Sequence, residues 1–184
     1  MLRSGRTREG EANGRDEGCA DVFARLERFN AALLAADSAT ALLERWCGGA
    51  VSARRASGGL KAATRAQRAR LEIGANEAVL YRAVTLARAA SALCEAQNWY
   101  VPHRLGADVL AVLDASDTPF GRAIAGMRPT RETLGVEFLI DPARFPNEPG
   151  APALRHRALV RDASGRPFAE VDEIYLCAIL AFEP

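Results

Sequence analysis

Two charged side chains in this chain fall where apolar ones belong. In FAEVDEIYL, residues 168–176, strand alternation sends Phe168, Glu170, Asp172 and Ile174 to one face. It sends Ala169, Val171, Glu173, Tyr175 and then Cys177 to the other. Glu170 and Asp172 read as a solvated edge, whereas Glu173 shares a face with apolar neighbours. In VLYRAVTL, residues 79–86, Leu80, Arg82, Val84 and Leu86 share a face, with Arg82 the one charge among aliphatic side chains. A buried, unpaired charge is costly, so each group needs a partner. Arg82 and Glu173 either form a structural ion pair, with each other or with backbone, or line a cavity and hold the two ends of a small polar ligand. A guanidinium suits a carboxylate, which it meets with two parallel hydrogen bonds. A carboxyl group can accept from a hydroxyl or move a proton.

The elements that would position these groups follow from periodicity and turn chemistry. Val22, Phe23, Leu26, Phe29, Leu33 and Leu34 recur at helical spacing and predict an amphipathic helix over 20–36. Asp37 and Ser38 offer capping oxygens for a second helix over 39–47, which Gly48-Gly49 ends. A strand is expected over 51–57, and 58–72 reads as either loop or helix. The β-branched and aromatic content of VLYRAVTL and NWYVP predicts two strands with a turn near 88–92, although the Ala-rich run 77–98 would sum to one long helix. Short helices are expected near 105–114 and from Pro119 onward, a strand over 135–141, and a loop over 145–152. Residues 153–180 alternate, turn at DASGRP and alternate again, as a hairpin does. Helices followed by antiparallel strands with inserted helices indicate an α+β domain.

Composition narrows the function classes. The chain has 184 residues, 49% hydrophobic and 26% charged, enough for one domain with a sizeable core. Residues 1–19 are polar and Gly-rich and are expected to form a disordered extension, leaving 20–184 as the domain. A net charge of +1 supplies no field for nucleic acid or an acidic membrane, so neither is expected as a partner. Cys19, Cys47, Cys94 and Cys177 form no CxxC pair, and with His103 and His156 as the sole histidines no metal site is expected. Cys94 and Cys177 read as buried free thiols, which fits a cytoplasmic protein, as does the lack of an apolar core segment in the first twenty residues. Both histidines read as surface residues, and Trp46 and Trp99 as core or cavity wall. Arg155, Arg157 and Leu159 share a face that reads as mainly solvated.

Five segments in order resemble the chorismate pyruvate-lyase family of bacterial 4-hydroxybenzoate synthesis, part of ubiquinone biosynthesis. They are ALLAADSATALLER (32–45), LYRAVTL (80–86), WYVP (99–102), DTPFGRAI (117–124) and GRPFAEVDEIYL (165–176). The resemblance covers about 30–180 and rests on order and spacing. It implies a single antiparallel sheet with helices packed on it and helical flaps over an internal cavity. It also implies cofactor-independent elimination of pyruvate from chorismate by a monomer. Arg82 would hold the ring carboxylate, assisted by the backbone N–H of Ala39. Glu173 and the backbone N–H of Phe120 would address the oxygen at the other end of the ring.

The match departs from the family at Ala39, where relatives often carry a larger apolar residue, and at Phe120, which stands for Leu. It departs also near Asn98, where some relatives carry a second Arg, and at Cys177, which replaces a proline. These departures leave room for an alternative: a non-catalytic domain of the same fold that binds an aromatic carboxylate, like the effector-binding domains of a transcription-regulator family. Residues 1–50 read as a tail and two short helices, so no winged-helix domain is expected ahead of the first strand. A pure protein-interaction module has no support in the sequence.

Overall fold

The computed structural model describes residues 8–56, 59–140 and 148–182, with the backbone alone over 8–19. Helix α1 spans Arg8–Leu34 and buries Leu26, Phe29 and Leu33, the stripe that the periodicity marks. Its first turns overlap the stretch expected as an extension; residues 1–7 lie outside the described residues. Helix α2, Ala39–Cys47, starts where capping chemistry places it: Ser38 Oγ accepts from the Ala41 N–H at 3.2 Å, and Gly48 closes the helix at φ 64°.

Strand β1 is Ser52–Arg55. The ambiguous stretch resolves into helix α3, Arg65–Arg70, opened by a reciprocal cap between Thr64 and Gln67. Strands β2, Leu80–Arg88, and β3, Ser91–Tyr100, form the expected hairpin. Its tight turn sets Ala89 at φ 51°, a left-handed position that glycine or asparagine usually takes. Helices α4, Ala107–Ala115, and α5, Phe120–Ala123, follow, the latter capped by Pro119. Strand β4 is Thr130–Phe138, starting earlier than the expected 135–141, with a bulge between Thr133 and Gly135. The polar TRET obscures this start, because its Arg131 and Thr133 point to the covered side of the sheet. The loop expected over 145–152 falls largely outside the described residues. Strands β5, Pro152–Arg161, and β6, Pro167–Leu176, complete the second hairpin.

The six strands form one antiparallel sheet in the order β1-β2-β3-β6-β5-β4, the α+β architecture expected. Directly paired residues share a face, so the register shows which side chains meet. One row on the helix-covered face runs Arg82, Asn98, Val171, Ala158, and the next runs Val84, Ala96, Glu173, His156. Two apolar clusters cover this face. Helices α1 and α2 pack on the end carrying Leu86, Cys94, Tyr175 and Leu154. Phe120, Ile124 and Leu113, from α5 and α4, pack on Tyr100, Ala158, Val160 and Val171. The polar side chains lie in the seam between them.

Two surface expectations need correction. Glu170 is not on a solvated edge. Strand β6 lies between β3 and β5, and Glu170 is buried, held by Arg70 through two hydrogen bonds of 2.8 and 2.9 Å. The segment around α3 covers this part of the outer face, and Asp172 is clasped likewise by Arg155 at 2.8 and 2.6 Å. Leu159, on the same strand face as exposed Arg157, is buried against Leu71 and Val101. His156 is not at the surface either: it is 1% exposed, because its strand β5 is interior and its side chain faces the helices. His103 is exposed and lies 3.2 Å from Glu77. Trp46 and Trp99 are buried, as are Cys47, Cys94 and Cys177, all three free thiols. Cys19 lies among the residues whose side chains are not described.

Candidate functional site

Strand alternation correctly places Arg82 and Glu173 inside: each is 6% exposed. They do not pair with each other. Glu173 Oε2 accepts from Arg131 Nη2 at 2.8 Å and from the Tyr175 hydroxyl at 3.0 Å. Burial, with Glu173 alongside, lifts the Tyr175 pKa well above its ordinary value, so the phenol stays a donor. Burial opposes the charge on Arg131, but Glu173 and then Tyr175 outweigh it, and the guanidinium pKa sits above its usual value. Arg131 is therefore the ionic partner that sequence reasoning missed. Alternation carried back from Val136 and Phe138 would turn Arg131 outward; the bulge between Thr133 and Gly135 shifts the phase and brings it to the inward face.

Glu173, Arg131, Asn98, Ala39 and Phe120 surround one cavity in the seam. The start of α2 forms one wall. There the first helical N–H groups, those of Ala39 and Thr40, have no acceptor within their own helix. Helix α5 forms the roof and lies very close to α2: a Cβ on Gly121 would come within 2.8 Å of Thr40 Oγ1 and 3.0 Å of Ser38 Oγ. An ion pair between Arg122 and Glu44 joins the two helices further out. Asn98 is 2% exposed and its Nδ2 has no acceptor. The cavity holds about 30 Å³, room for a water-sized guest, whereas a benzene-sized one needs about 150 Å³. The helices are thus closed over the polar seam.

Arg82 lies one row away from Glu173 but lines a different hollow, together with Arg55, Lys61, Tyr81 and Tyr100. Its Nη2 donates to the Thr118 carbonyl at 3.2 Å, while Nε and Nη1 have no acceptor. Of the four residues singled out from sequence, three meet around one cavity and Arg82 is set apart from them. Among the described residues no cluster of His, Cys, Asp and Glu could hold a metal, and no helix is long and apolar enough to cross a membrane.

His156 stands behind the ion pair, its Nδ1 3.4 Å from Arg131 Nη2 and its Nε2 3.5 Å from Thr133 Oγ1. Burial, and then the Arg131 charge, lower its pKa from 6.5, against an opposing pull from Glu173. The folded state therefore resists protonating it. The stability this confers is complete above the unfolded value of 6.5 and is lost as pH falls from there through the lower folded-state value. Urea titrations at stepped pH should show wild-type stability falling below pH 6.5, with that slope reduced in His156→Gln. An unchanged slope in the variant would clear His156 of any part in it.

No family model matches the chain. It is 35% identical over 184 residues to the uncharacterized protein y4mC of Sinorhizobium fredii, covering 88% of this chain and 78% of that one. The chain belongs to the y4mC family. Among solved structures, this y4mC-family chain resembles the effector domain of PhnF from Mycobacterium smegmatis, with a TM-score of 0.55 and 11% identity over 76% of this chain and 88% of that one. It resembles the longer PhnF structure at a TM-score of 0.53 and 11% identity, covering 63% of that chain. At these identities the likeness bears on the fold of this chain alone.

Proposed function

We propose that this y4mC-family domain binds a small organic carboxylate between the sheet and the α2–α5 roof, as an effector-binding domain does, without turning it over. The observation that carries this reading is the unmet Asn98 donor, which is buried in the cavity beside Arg131 and the open N–H groups at the start of α2. A buried donor without an acceptor costs about 1–3 kcal/mol, and an oxygen-bearing guest would remove that cost. Carboxylate oxygens suit the Asn98 amide and the open N–H groups of α2, because each of these is a donor. A ring-sized guest requires α5 to lift, and the four residues of that helix, tied to α2 by one ion pair and a close Gly121 contact, are a small unit to move.

A second reading, chorismate lyase, is favoured by one observation: Glu173, Ala39 and Phe120 do surround a single cavity. Two observations weigh against it. Glu173 Oε2 is already engaged by Arg131 and Tyr175, and Arg82, the expected carboxylate anchor, lines another hollow. Titrating the protein with 4-hydroxybenzoate and its isomers and incubating it with chorismate separates the two. We expect at least one hydroxybenzoate to stabilise the fold, by about 2.7 kcal/mol at a hundredfold excess over Kd. Asn98→Leu should abolish that gain, and chorismate should remain intact. Formation of 4-hydroxybenzoate and pyruvate would establish the lyase instead, and failure of every isomer to stabilise the protein would end the binding reading.

A further inference from the structure

The outer face of the sheet, turned away from α1, α2, α4 and α5, carries a hollow of its own. Residues 61–70, with α3, border it on one side, and strands β3, β6 and β5 supply the rest. It measures about 490 Å³, within the range of small-molecule sites. It lies across the sheet from Asn98 and Glu173, because successive residues of a strand face opposite ways and its lining includes Trp99 and Asp172. Four cations line it, Lys61, Arg70, Arg155 and Arg157, against two acids, Glu170 and Asp172.

Both acids are already occupied. Arg70 holds the two oxygens of Glu170, and Arg155 holds the two oxygens of Asp172. Two cations remain unmatched. Arg157 stands directly opposite Asp172 across the β5–β6 pair, yet Arg155 takes that carboxylate instead. Arg157 lies over Gly135 of β4, where a Cβ would come within 3.1 Å of its Nη2. It forms no hydrogen bond or ion pair among the described residues. Lys61 Nζ donates to the neutral Gln97 side chain at 2.8 Å, a contact that leaves its charge uncompensated. Both side chains are exposed, so a solute can reach them. Arg70 is half-exposed and bonds Glu170 through Nε and Nη2, which leaves its Nη1 edge open to the same hollow.

We propose that this outer-face hollow is a phosphate site, separate from the Asn98 cavity, for free phosphate or a phosphate ester. The unmatched charge is two, which a phosphate dianion balances and a carboxylate or sulfonate does not. Phosphate oxygens accept from Arg157, Lys61 and the open edge of Arg70 together, and a guanidinium can meet two of them side by side. Arg157 is the decisive group. It turns from Gly135 to the guest without giving up any partner within the protein. The Arg70–Glu170 and Arg155–Asp172 pairs stay intact, so the guest completes the hollow without displacing a contact.

Isothermal titration of the intact protein tests this with three probes: inorganic phosphate as the free dianion, butyl phosphate as the ester, and butanesulfonate as a singly charged control of similar shape. At least one of the phosphates should bind about tenfold more tightly than butanesulfonate. Tighter inorganic phosphate would name the free ion as the guest and tighter butyl phosphate the ester; either upholds the site. Arg157→Gln should weaken the better phosphate by about tenfold, and Lys61→Gln by about threefold. Arg157→Gln removes no bond within the protein, so its melting should match the wild type and the lost affinity then reports the site, not the fold. Arg82→Met and Asn98→Leu, on the other face, should leave phosphate affinity within about twofold. Failure of both phosphates to bind, or butanesulfonate binding as tightly as either, would overturn the assignment. So would phosphate affinity that is unchanged in Arg157→Gln or lost in Asn98→Leu. No hydroxybenzoate enters these titrations, so this reading and the carboxylate reading fail independently.

Discussion

Arg131→Ala is expected to cost about 3–5 kcal/mol of folding free energy, the usual result of stranding one partner of a buried ion pair. At roughly 2–4 °C per kcal/mol for a domain of this size, melting should fall by about 6–20 °C. The pair is nearly closed to water, with side-chain exposures of 10% for Arg131 and 7% for Glu173. Without the guanidinium, the Glu173 carboxylate keeps only the Tyr175 hydroxyl as a donor among its side-chain contacts. The sign of the pH effect follows. An unpaired buried carboxylate resists ionisation, so the defect should shrink as acid protonates it. Removing both charges is a different matter. Arg131→Met with Glu173→Leu deletes the two desolvation penalties together and should recover most of the loss. Urea unfolding of the two single variants and the double gives the coupling directly. Additive losses in the double variant would mean that the two groups do not depend on one another.

How much of this could be read from the chain depends on where each signal is encoded. Helix α2 was legible because Ser38 and Gly48 state its ends in local chemistry, and the second hairpin because DASGRP separates two alternating runs. The inward placement of Arg82 and Glu173 was legible for the same local reason: period-two alternation assigns faces without knowledge of any neighbour. What alternation leaves open is what covers each face. Glu170 looked solvated because nothing within its own strand reveals that Arg70, a hundred positions earlier, folds over it. His156 looked solvated because the Arg residues around it suggested a wet strand, although those lie on the opposite face. Arg131 was missed because its strand opens with polar residues, so the partner of Glu173 was sought at the other end of the sheet. The hairpin turn at Ala89 left no signal, since alanine in a left-handed conformation is held there by the two strands and not by its own preference.

Arg82 and Arg131 are the same residue type on the same face of one sheet, and their replacement should move stability in opposite directions. Arg131 has a carboxylate at 2.8 Å; Arg82 has one backbone carbonyl at 3.2 Å and two nitrogens with nothing to meet. The residue across from Arg82 in β3 cannot compensate, because Asn98 turns an unmet donor of its own into the adjoining cavity. Methionine matches the length of the arginine stem, so Arg82→Met keeps the packing and deletes the stranded charge. The gain from that deletion, reduced by the lost Thr118 contact, should stabilise the protein by about 1–2 kcal/mol. The penalty it relieves is present at every pH at which the guanidinium is charged, so the gain should be flat across the neutral range, unlike the acid-sensitive defect at Arg131. A side chain whose removal strengthens the fold is one held against the interest of stability, as binding sites often are. Denaturation of Arg82→Met decides the matter. A loss on the scale of Arg131→Ala would mean that the protein itself satisfies this guanidinium, and would remove the reason for assigning it a ligand.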